Sequence, residues 1–101
     1  MKKIVGKLEF FSELGICAAV VRSHDSKGSF DKVLKIQEGD RLVLSHKGEV
    51  VFDQEVKPNR ELQKKHHSSI LIPEGVTYEL WQFFIKEEVS AELYTNRQIY
   101  F

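Results

Sequence analysis

Phenylalanine, valine, isoleucine and tyrosine recur along the chain in short blocks separated by polar or glycine-bearing turns. That spacing is the pattern of an all-β sandwich or barrel rather than of helices. It predicts strands over residues 4–11, 16–22, 30–37, 41–46, 49–56, 67–72, 76–84 and 89–95. Successive strand side chains point to opposite faces, so parity nominates a core of Leu34 with Ile36, Leu42 with Leu44 and His46, Val50 with Phe52, Ile70 with Ile72, and Val89 with Ala91 and Leu93. In the block 76–84 the same alternation sets Tyr78, Leu80 and Phe84 on one face and Trp81 and Phe83 on the other. Core packing is the ordinary use of such an aromatic block, with one set against Phe10 and Phe11 or against a second subunit. His46-Lys47-Gly48-Glu49 and Glu38-Gly39-Asp40 read as compact turns. The stretch 57–65, with Pro58 and the basic side chains Lys57, Arg60, Lys64 and Lys65, reads as a solvated loop with room for one helical turn.

A chain of 101 residues suits a single domain over residues 1–101. Its 15 basic and 15 acidic side chains cancel, which removes the field that would favour nucleic acid or an anionic membrane as partner. No apolar run approaches a membrane span, and the charges following Met1-Lys2-Lys3 interrupt any leader-like apolar region. The lone Cys17 lies in the apolar run Ile16-Cys17-Ala18-Ala19-Val20-Val21 and reads as a small buried hydrophobe. A free thiol suits a reducing compartment, and the expected localisation is cytoplasmic.

Two stretches carry a family likeness. The first runs from His24-Asp25-Ser26-Lys27-Gly28-Ser29-Phe30 through Val33-Leu34-Lys35-Ile36 to Glu38-Gly39-Asp40, and the second is Ile70-Leu71-Ile72-Pro73-Glu74-Gly75. Together they resemble the half-motifs of the cupin superfamily, most closely the small tellurite-resistance-type cupins, over about residues 8–95. The resemblance implies a double-stranded β-helix, a jelly-roll-like barrel. It also implies a cavity mouth beside His24, with Lys27 supplying positive charge to an oxyanion, and a role in stress or tellurite resistance. The chain lacks the H-x-H pair of ordinary cupins, and Thr77 and Tyr78 stand where relatives carry histidine.

Four histidines invite a metal reading, because neutral imidazole binds divalent transition metals. The candidate ligands are His24, His46, His66 and His67. Each has a plainer alternative: a loop hydrogen bond for His24, a strand end for His46, and solvent for at least one of the adjacent pair His66-His67. Tyr78 joins His24 and Lys27 as a candidate ligand-binding residue. No nucleophile elbow, P-loop, C-x-x-C or H-E-x-x-H occurs, and no catalytic residue is nominated.

Three functions follow. The first is binding of a small molecule or oxyanion, assisted by a metal. The second is a metal-dependent cupin oxygenase or isomerase, which requires at least three converging ligands. The third is a metal-free interaction module, a homodimer built on the Trp81 strand and the aromatic tail Ile99-Tyr100-Phe101.

Overall fold

The computed structural model describes residues 2–13, 15–23 and 32–97. Its elements in chain order are strands β1 (Lys2–Glu13), β2 (Ile16–Ser23), β3 (Lys32–Lys35), β4 (Arg41–His46) and β5 (Glu49–Glu55), helices α1 (Arg60–Lys65) and α2 (Tyr78–Lys86), and strand β6 (Ser90–Thr95). The strands form one six-stranded antiparallel sheet in the order β3-β2-β1-β6-β4-β5. The protein is therefore mostly antiparallel β, as the alternating blocks predict. The described strands make one sheet, whereas a double-stranded β-helix encloses its core between two.

The sheet turns on β1. Residues 7–13 of this strand pair with β2, and residues 2–7 pair with β6, so only Lys7 has partners on both sides, Arg22 and Ser90. Gly6 sits at this handover. A Cβ placed there would lie 1.9 Å from the Arg22 carbonyl oxygen, so two backbones pass where no side chain fits, a recurrent use of glycine in bent strands.

One face of the sheet carries the core. Ile4 and Leu8 of β1 stand beside Leu93 and Ala91 of β6, and Leu42 and Leu44 of β4 continue the row to Phe52 of β5. Trp81 and Phe84 from α2, with Ile72 and Val76 from the segment before it, close over that row. Each fully buried Leu contributes roughly 1.5–3 kcal/mol relative to exposure. Over β4 and β6 the opposite face is polar, while on β2 it carries the buried Ala18 and Val20. There the Arg41 guanidinium donates to both Asp53 carboxylate oxygens at 2.9 and 3.0 Å, and the Tyr94 hydroxyl donates to Glu92 at 2.8 Å.

Several expectations are corrected. The predicted strand 76–84 is a helix: Thr77 caps it by accepting the Leu80 amide on its hydroxyl, with Glu79 in the first turn and Lys86 in the last, all favourable to the helix ends. The helical period places Tyr78, Trp81 and Ile85 on one side and leaves Leu80 and Phe83 exposed, which replaces the strand parity of that block. Residues 67–72 form no strand. Their backbone is satisfied within a loop, where the Ser68 amide donates to the Gln63 carbonyl and the Ile72 amide donates to the Gln63 side chain. Val50 is 62% exposed because a register shift between Leu44 and Ser45 turns it to the face opposite Phe52. Cys17 is exposed, since it pairs with Ser12 near the hairpin end, beyond the reach of the core.

Residues 46–49 do form the predicted tight turn, with Lys47 at φ 52° and Gly48 at φ 82°, the two left-handed residues that match hairpin twist. Stretch 57–65 includes the short helix α1, capped by Asn59, whose side-chain oxygen accepts the Leu62 amide. Among the described residues no helix is long and apolar enough to cross a membrane.

Candidate ligand cavity beneath helix α2

The ends of the two helices meet over the sheet and build the candidate site. His66 follows the last turn of α1, its amide donating to the Leu62 carbonyl, and Tyr78 opens α2 directly after the Thr77 cap. Their rings stack in parallel, with centroids 3.6 Å apart and planes 8° from coplanar. Each terminus is fixed by its cap, so the stacked pair is held from both sides.

Behind the pair lies a cavity of about 260 Å³. Phe10, Tyr78 and Trp81 supply aromatic walls, Ile70, Ile72 and Ile85 supply aliphatic ones, and His66, Ser68 and Gln82 supply polar atoms. Phe10 and Gln82 are exposed and mark its mouth, between β1 and α2. Trp81 is fully buried, and its indole Nε1 has no hydrogen-bond acceptor among the described residues. A buried donor left unpaired costs about 1–3 kcal/mol, so this atom is a standing demand for an acceptor. The Ser68 hydroxyl does not answer it, because it donates to the Ile70 carbonyl and accepts the Ile70 amide.

On the other side of the stacked rings is a second cleft of about 460 Å³, which adds Asn59, Glu61, Lys65 and Glu79 to the shared His66 and Tyr78. The ring pair is the partition between the two spaces. A larger cleft of about 630 Å³ runs along the turns at Glu38, Glu55, Glu61 and Glu74, interspersed with Lys57 and Arg60. It is wide and polar, with no aromatic wall, and offers less to hold a small molecule.

The predicted site residues separate. Tyr78 and His66 come together in the stack. His46 ends β4 with its ring edge-on to Phe83, centroids 5.4 Å apart and planes at 87°. Phe83 lies five residues beyond Tyr78, about 140° around the helix, so His46 and His66 serve different sides of α2. His67 is exposed, with φ 49° just past α1. His24 and Lys27 fall outside the described residues, as does the tail Ile99-Tyr100-Phe101. Among the described residues no group of three or more His, Cys, Asp or Glu side chains is placed to hold a metal ion. Sequence reasoning did not find the cavity itself, because Phe10, His66 and Trp81 converge only once residues 78–86 are helical. The available signal was the threonine cap at position 77. No protein-family model matches the chain, and neither a curated protein nor a solved structure does.

Proposed function

We propose that this protein binds a small molecule in the cavity between α2 and β1, with Tyr78 and Trp81 as its principal walls. The observation that carries this reading is the cavity of about 260 Å³ behind the stacked His66–Tyr78 pair, with Phe10, Tyr78 and Trp81 in its lining. Ligand sites are characteristically apolar concavities with a few placed polar groups, and His66, Ser68 and Gln82 are such groups here. The oxyanion and tellurite-response readings, and the cupin-type double-stranded β-helix they assume, lean on His24 and Lys27, which lie outside the described residues. A metal-dependent oxygenase or isomerase needs three converging ligands; among the described candidates His66 and Tyr78 adjoin.

Trp81 is the sole tryptophan of the chain, so its emission reports on the cavity without competing signals. Titration of a panel of single-ring compounds should yield members that change Trp81 emission and raise Tm together. A ligand at one hundred times its Kd adds about 2.7 kcal/mol of stability. Tyr78→Ala should abolish both effects. Compounds that raise Tm while leaving Trp81 emission untouched, or that bind Tyr78→Ala undiminished, would place binding elsewhere and end the proposal.

A further inference from the structure

We infer that His66 sets the size of ligand this protein accepts: by holding the Tyr78 ring in place, it closes the cavity to compounds longer than one ring. The inference rests on the proposed binding function and names the residue that gives that site its specificity.

Among the described residues, the cavity of about 260 Å³ and the cleft of about 460 Å³ have His66 and Tyr78 in common and no other lining residue. Tyr78 depends on His66 for its place in that wall. A helical side chain leans over the turn before its own, but Tyr78 is the first residue of α2, so no turn of that helix lies beneath its ring. The His66 ring fills the position instead, 3.6 Å away and 8° from coplanar. His66 in turn stands on fixed backbone. The Ser68 amide donates to the Gln63 carbonyl at 2.8 Å and the His67 amide to the Lys64 carbonyl at 3.2 Å, with His67 at φ 49°. These are the paired bonds and the left-handed residue of a Schellman closure, and they present the His66 side chain from the end of α1.

Volume gives the limit. An apolar cavity of about 150 Å³ holds benzene, so two rings in line need roughly 300 Å³ on the same scale, more than the 260 Å³ behind the pair. A second ring directed outward passes the exposed Phe10 and Gln82 into solvent and buries little. Directed inward, it meets the stacked pair. Beyond the pair, Leu62 and Val76 line the cleft, apolar surface that a second ring could cover once the imidazole is gone.

The test titrates phenol and 4-phenylphenol, both uncharged at pH 7, into wild type, His66→Ala and His66→Phe by calorimetry. In wild type the second ring should improve affinity by less than about threefold. In His66→Ala the gain should reach about tenfold, the lower end of what burying an aromatic ring supplies. His66→Phe rebuilds the stack and should return the gain to the wild-type value. General loosening of the fold would weaken both compounds and leave their ratio unmoved. A tenfold gain already present in wild type, an unchanged gain in folded His66→Ala, or a His66→Phe that behaves as His66→Ala would overturn the inference and leave the binding function standing. His66 is partly exposed; should His66→Ala nonetheless fail to fold, the wild-type gain decides alone. Failure of both compounds to bind, with other panel members still perturbing Trp81, would refute the size limit, and failure of every panel member would remove the binding function with it.

Discussion

Replacing Gly6 by alanine tests the handover on which the sheet turns. The added Cβ would meet the Arg22 carbonyl oxygen at 1.9 Å, its carbonyl carbon at 2.4 Å and the Ser23 Cα at 2.8 Å. All three are backbone atoms, so no rotamer change relieves the contact. Ordinary packing begins at 3.4 Å, and β1 and β2 would have to part by about 1.5 Å where Lys7 pairs with Arg22. Overpacking of this kind costs about 1–3 kcal/mol, more where the surroundings cannot yield. Against that stands a gain of about 0.4–1 kcal/mol, because alanine restricts the unfolded chain. The balance is a loss of roughly 2 kcal/mol or more from a total near 5–15 kcal/mol. In urea unfolding followed by Trp81 emission, with m about 1–3 kcal/mol/M, the midpoint should fall by roughly 1–2 M. A midpoint equal to or above wild type would show that the two backbones do not approach as described, and the shared-strand account of the sheet would fall with it.

Two further outcomes follow. Arg97 donates to the buried Asp40 carboxylate, to the Lys35 carbonyl and, through Nε, to the Thr95 hydroxyl, so Arg97→Ala leaves Asp40 with the Gln37 amide alone. Stranding a buried charge costs 3–5 kcal/mol at full burial; Arg97 is partly exposed, and a loss of about 2 kcal/mol in chemical denaturation is expected, a loss below about 0.5 kcal/mol being incompatible with the tether. On the polar face, hydrogen bonds from Arg41, reinforced by its charge, hold Asp53 below the usual 3.8. Because the folded value is the lower one, the pair's contribution to stability is complete above 3.8 and disappears as pH falls through the folded value. An NMR titration of the Asp53 carboxyl should therefore show a midpoint under 3.8 that rises toward it in Arg41→Gln, and an unmoved midpoint would dissociate the two side chains.

The strands were legible where local chemistry decides. Residues 41–46 alternate cleanly, Lys47-Gly48 supplies the left-handed turn, and Val89, Ala91 and Leu93 share the buried face their parity assigns. The block from Tyr78 to Ile85 was not, because its apolar density satisfies a period of two as readily as one of 3.6. Thr77 breaks that tie only when its hydroxyl is read as a cap. Val50 moved because one extra residue in a ladder inverts every parity beyond it, and a bulge of that kind has no local signature here. The division of β1 between two partners is a long-range matter of register. In the site, His66 and Tyr78 were each singled out, but for separate roles. Their stacking depends on where α1 ends and α2 begins, geometry that the eleven intervening residues conceal.

Among the described residues the sheet ends on β3 and β5, each with one neighbouring strand. They discourage recruitment of another chain by different means. β3 is only four residues long, with lysine at both ends. β5 lies beside the register shift and carries Glu49, Asp53 and Glu55, so an incoming strand would meet a distorted template and repeated negative charge. Growth by adding strand to strand is thereby disfavoured at these two strands.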